Sequence, residues 1–205
     1  MSLNLTIPGP RTFIRYVYGL RGYLLAAVLI FLAFYMLGYL FAVVSPSATD
    51  SAMSSFSDEV APMKDLSPIG LMLGIFENNV IKTFLMMVLG LVFGIAPAIF
   101  TLVNGLMLGI VSGATASKYG LLYVAVGTIP HGIVELPMVL ISAAIGLKLG
   151  TDLLLSIFRR RVNLINDLKE GLLIYLCWIF PLLFLAAILE TFVTGPLLYF
   201  LFMAH

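Results

Sequence analysis

Long apolar runs alternate with short polar segments along this chain, and the runs have the length of membrane crossings. Tyr23 to Val44 is uninterrupted and long enough to span. Ser45 to Asp65 then turns polar, with Asp50, Asp58, Glu59 and Asp65 against a single Lys64. Ser67 to Asn79 is mixed and is expected to lie in the interface or dip part-way into lipid. Thr83 to Ser117 holds no charged residue and exceeds one span of about 20 residues, so Pro97 near its middle is the predicted break. Lys118-Tyr119-Gly120 reads as a turn, Leu121 to Leu147 as the next span, and Lys148 to Glu170 as a charged, partly helical loop. Gly171 to Leu189 can cross once more. Phe192 to Met203 is too short for a straight span and is expected to lie along or re-enter the interface. Ahead of all this, Arg11, Arg15 and Arg21 interleave with Phe13, Tyr16 and Tyr18, a pattern suited to an interfacial helix over 11–22.

The predicted architecture is an all-α, polytopic bundle of about five spans in one membrane domain covering 1–205. Its parts are an interfacial helix (11–22), a first span (23–44), an extracytoplasmic loop (45–77), two spans or a re-entrant hairpin (78–117), a span (121–147), a cytoplasmic loop (148–170), and a last span with an interfacial tail (171–204). Breaks are expected near Pro97 and Pro130-Gly132. The first span is expected to be retained as an anchor, since Pro8 and Pro10 fall where a cleavable signal would build its core.

Composition agrees: 61% hydrophobic residues, 10% charged and a mean hydropathy of +1.12 over 205 residues describe a membrane protein. A net charge of +1 argues against a nucleic-acid binder, which would show a basic face. The lone Cys177 cannot form an internal disulfide and reads as a small buried hydrophobe. The Arg11/Arg15/Arg21 and Arg159–Arg161 clusters should both face the cytoplasm, which predicts an N-terminus inside and a C-terminus outside the cell membrane.

Glycines recur every fourth residue at Gly90/Gly94, Gly105/Gly109/Gly113 and Gly146/Gly150, a spacing that lets helix backbones approach closely or docks a second protomer. The most informative peptide is Pro130-His131-Gly132-Ile133-Val134-Glu135-Leu136-Pro137. From Leu121 to Leu147 its His131 and Glu135 are the only ionisable side chains, and they sit one helical turn apart. Ionisable groups at membrane depth face a bundle interior, a cavity or a partner. Three roles stand open for the pair: a buried hydrogen-bonded lock, a proton relay, or part of a metal site. Asn104 is the candidate third member of an intramembrane polar cluster, and Asn78-Asn79 is expected to cap the mouth of the second span. Glu190 reads as a solvated carboxylate at a helix end. The other histidine is the terminal His205, so no metal-ligand set is legible, no cofactor is expected, and a catalytic set is incomplete. The chain is read as a non-enzyme.

The order of these features resembles the stage II sporulation protein M family: Asn-Asn before the second span, Asn-Gly in a glycine-rich stretch, then Pro-His-Gly-x-x-Glu-Leu-Pro and Gly-Leu-Lys-Leu-Gly. The resemblance covers about Tyr23 to Leu189, and Asn79, Asn104, Gly105, Pro130, His131, Gly132 and Glu135 carry it. It implies a bundle of about five spans. In endospore formers the namesake is a membrane scaffold working with a peptidoglycan-degrading enzyme and another membrane protein. Two functions follow as expectations. One is a scaffold that assembles a cell-envelope complex, with membrane lipids, other membrane proteins or a membrane-associated enzyme as partners. The alternative is a transporter, channel or lipid-handling protein in which His131 and Glu135 line a cavity. A water-filled cavity reaching Glu135 from one side favours the second, a dry, fully packed pair the first.

Overall fold

The computed structural model describes residues 7–46, 49–50, 66–158 and 162–202, and every element among them is helical. A short helix α1 (Pro10–Gly19) leads into α2 (Arg21–Val44). Helix α3 (Pro68–Val88) ends in a tighter turn at Leu89–Leu91 and is followed by α4 (Ile95–Tyr119) and α5 (Leu121–Ile157). The last helical run is α6 (Leu164–Ile174), α7 (Phe180–Leu189) and α8 (Gly195–Phe202), joined by wider π turns at Tyr175–Ile179 and Glu190–Thr194. Five helices are long and apolar enough to cross a membrane: Arg21–Val44, Pro68–Leu91, Ile95–Tyr119, Leu121–Ile157 and Leu164–Phe202. Their outer surfaces are apolar. Leu29, Leu32, Met36 and Leu40 of α2 are each half or more exposed, the arrangement expected of side chains that meet lipid. The carboxylates Asp58, Glu59 and Asp65, Lys64, Arg159–Arg161 and His205 lie outside the described residues.

Four local expectations are corrected. The second span does not begin near Asn78. It starts at Pro68, whose missing N–H is harmless at the first helical position, and Ser67 Oγ accepts from the Gly70 amide at 3.2 Å. Asn78 and Asn79 are therefore mid-helix and cap nothing. The break between α3 and α4 falls at Phe93–Gly94, both with positive φ (54° and 73°), rather than at Pro97. Pro97 sits in the first turn of α4, where its absent donor breaks no helical bond. Helix α5 runs through Pro130, Gly132 and Pro137 without interruption. Finally, the chain past Glu190 continues as helix to Phe202, and the wide turns just before Pro181 and Pro196 absorb what would otherwise break it.

The bundle is built on backbone-to-backbone contact. A Cβ at Gly105, Gly109 or Gly113 of α4 would strike the carbonyl oxygens of Phe31, Tyr35 and Tyr39 on α2, and one at Gly38 of α2 would strike that of Leu106. Gly90 and Gly146 face one another, and Gly150 presses on the Phe93–Gly94 backbone. Without a water-driven hydrophobic term inside lipid, such close approach is what lets dispersion hold helices together. Larger side chains fill the space between α3, α5 and the last helical run, where Met87, Ile145, Leu149, Tyr175, Ile179 and Leu183 are all at most 1% exposed.

Polar contacts fix one end of the bundle. The Trp178 indole donates to the Pro8 carbonyl at 2.8 Å, and its ring stacks on Phe13. Lys148, at the far end of α5, bridges Asp152 of its own helix (2.6 Å) and Asp167 of α6 (2.7 Å). The Tyr16 phenol of α1 faces the same acids: burial first, then Glu170, Asp167 and Asp152, raise its pKa. Lys148 and Asp152 are thus a packed junction rather than ordinary flanking charges.

The glycine contacts make a graded prediction. In detergent-solubilised protein, Gly109→Ala drives a methyl group into the Tyr35 carbonyl and should lower stability by about 1–3 kcal/mol. Gly22→Ala, where a Cβ meets nothing within 4 Å, should leave it unchanged or slightly raised. Equal melting temperatures for the two variants would contradict the packing described.

Candidate functional site

Three helices bring polar groups to one depth. Asn79 lies eleven residues into α3, His131 ten residues into α5, and Glu190 twelve residues before the end of α8. At 1.5 Å per residue these are all about 15–18 Å from the same end of the bundle. That common end is marked by the Tyr123 and Phe202 rings, 4.9 Å apart, and by Gly127 against Leu198. If the hydrocarbon core of about 30 Å begins at that end, such a depth is near its middle.

The three ionisable members are His131, Glu135 and Glu190, all half-buried. One imidazole nitrogen and one oxygen from each carboxylate lie within 4.8 Å of one another. The uninterrupted α5 helix explains the first two, because residues four apart share a face. Glu190 is delivered by the π turn it opens, and single π turns recur at functional sites because they redirect side chains. The Asn79 side chain hydrogen-bonds Glu135 from α3, and Lys82, one turn further on, acts electrostatically on the same carboxylate.

Thr194 closes the same π turn and orients the histidine. Its hydroxyl donates to the Leu189 carbonyl at 3.2 Å, and its oxygen lies 3.3 Å from His131 Nδ1. A carbonyl can only accept, so the bond to Leu189 uses the hydroxyl's single proton. Both bonds can then exist together only if Nδ1 carries a proton and donates to Thr194. That tautomer leaves Nε2 as a lone-pair nitrogen, able to accept a proton or bind a cation.

A cavity of about 300 Å³ borders the cluster at Glu190. It is lined by Leu71 and Ile75 of α3, Gly127 of α5, and Glu190, Thr191 and Thr194 of the last run. The Thr191 hydroxyl is buried and has no hydrogen-bond partner. The site is therefore a cluster of two carboxylates and one oriented imidazole beside a mostly apolar cavity, whose wall carries Glu190 and an unpartnered hydroxyl.

The sequence-based expectations are redistributed. His131 and Glu135 are in the cluster. Asn104 makes no hydrogen bond with either of them: its helix turns the neighbouring Gly105 toward α2, and Asn79 supplies the amide instead. Asn78 makes no bond there. Glu190, read as a solvated end-of-helix group, is the carboxylate that completes the site. The signal that could have found it was its place within the longest charge-free stretch of the C-terminal third, ahead of Gly195-Pro196. Pro130 and Pro137 each remove one helical N–H donor around the pair, while Gly132 has open space on its face and meets only a Thr128 methyl at 3.6 Å.

The fold and site define a polytopic α-helical membrane protein with an ionisable cluster within the bundle. The chain belongs to the stage II sporulation protein M family, whose model matches residues 27–195. It is similar to an uncharacterised protein of Methanocaldococcus jannaschii, 29% identical over 123 residues that cover 58% of this chain and 68% of the relative. No solved structure matches it.

The tautomer is testable by nitrogen-15 NMR of a His205→Ala background, in which His131 is the sole histidine. Neutral His131 should carry its proton on Nδ1, and Thr194→Val should release that preference. An Nε2-protonated ring in both proteins would contradict the hydrogen-bond pattern.

Proposed function

We propose that this chain is a membrane scaffold of the stage II sporulation protein M type, a rigid multi-pass subunit around which other membrane proteins or a membrane-associated enzyme assemble. The observation that carries this reading is the glycine-locked frame. Helices α2 and α4 meet backbone to backbone along four glycines, as do the α3 end and α5, which makes a stiff body with a wide apolar exterior. The polar cluster draws groups from α3, α5 and the last run together, and such contacts between helices favour one helix arrangement. No enzymatic step is assigned. In the orientation this reading adopts, the end carrying α1, with Arg11 and Arg15, and Lys148 and Lys169 is cytoplasmic, and the C-terminus lies outside.

A second reading, intramembrane ion or proton handling, is favoured by one observation: a cavity borders Glu190, one member of the cluster. The two readings separate cleanly. A photo-crosslinking side chain at Leu29 or Met36 on the outer face of α2 should give one discrete protein adduct in native membranes, unchanged by Glu190→Gln. Adducts with lipid alone, together with a proton or cation flux in liposomes that Glu190→Gln abolishes, would replace the scaffold by the second reading.

A further inference from the structure

The geometry points to a divalent-cation site at His131, Glu135 and Glu190, taking a first-row transition metal of the Zn²⁺ or Mn²⁺ kind. This goes beyond the scaffold reading and does not depend on it. One oriented imidazole and two carboxylates form a mixed nitrogen and oxygen donor set. Such a set suits these ions better than Mg²⁺ or Ca²⁺, which prefer oxygen alone, or Cu⁺, which prefers sulfur.

Five features support a built site rather than a chance meeting of acids. The three donor atoms already lie within 4.8 Å of one another. Donors around a tetrahedral metal with bonds of about 2.0–2.2 Å lie about 3.3–3.6 Å apart, so side-chain rotations that draw the set in by about 1 Å close it. The donors come from two separate helices, α5 and the π turn of the last run, so they are not merely sequence neighbours.

The outer shell is also present. Thr194 holds His131 by Nδ1 and leaves Nε2 for the metal, and Asn79 holds Glu135. Metal-ligating histidines almost always have their other nitrogen held in this way. Charge argues in the same direction. Two carboxylates this close in a low-dielectric setting either share a proton or take positive charge beside them; Lys82 supplies part of that charge to Glu135 from α3, and a divalent ion would supply the rest. Finally, the cavity gives an access path and room for an exchangeable fourth ligand. The buried, unpartnered Thr191 hydroxyl on its wall is the kind of group a metal-bound water would satisfy.

The test uses the full chain in mild detergent, stripped with a chelator and titrated with Zn²⁺, Mn²⁺ and Co²⁺, with His205→Ala as the background so that the terminal histidine cannot contribute. The expected result is one ion per chain, a raised melting temperature, and a Co²⁺ visible spectrum of nitrogen and oxygen coordination. Thr194→Val, which touches only the outer shell, should weaken binding about 10–100-fold. His131→Ala, Glu135→Gln and Glu190→Gln should weaken it further. The proposal is overturned if the parent chain binds no ion stoichiometrically, whatever the variants do. It is equally overturned if binding persists at full strength in Glu190→Gln, which would place the ion elsewhere.

Discussion

Ionisable groups held within lipid are the constraint around which this molecule is arranged. Carboxylates at membrane depth are expensive, and two within a few ångströms of one another are more so, because neither water nor salt screens them. Glu135 and Glu190 are in that position. What surrounds them makes it tenable: an amide from Asn79, the charge of Lys82 and an imidazole fixed by Thr194. These groups come from three different helices, so the cluster holds only if those helices are held first.

The glycine contacts do that holding. Lys148 with Asp152 and Asp167 pins the cytoplasmic-facing end of the proposed orientation, and the α2–α4 and α3–α5 glycine contacts set the helix spacing. Against this rigid frame the last helical run is the irregular element, with two π turns in one spanning segment. The second of them carries Glu190 and Thr194. Irregularity is thus concentrated where the site is made, and the proline-bearing α5 helix opposite stays regular.

The fold was largely legible in the sequence because membrane crossings announce themselves by length and apolarity. Five apolar spans, a short helix ahead of them and the small-residue periodicity all follow from one-dimensional pattern. Boundaries were less legible. The weakly apolar Pro68–Asn79 stretch looks like loop by composition, yet Ser67 and Pro68 start a helix there. Prolines misled in the opposite sense: Pro97, Pro130, Pro181 and Pro196 look like breaks, but a first-turn position, an unbroken long helix and two π turns accommodate them. Half of the site was legible as His131 and Glu135, whose spacing is local. Glu190 was not, because nothing in a single sequence shows that a residue fifty-five positions later returns to the same depth on the same side. The same reason put Asn104 in the cluster in place of Asn79.

The adjacency of Glu135 and Glu190 is the claim on which the site rests, and a double-mutant cycle measures it directly. Unfolding of the parent chain, Glu135→Gln, Glu190→Gln and the double variant would be followed in detergent with a chelator present. Two carboxylates in contact predict a coupling energy of about 0.5–3 kcal/mol, with the second substitution giving less than the first. Additivity within about 0.5 kcal/mol would mean the two groups do not meet, and the site as described would not exist.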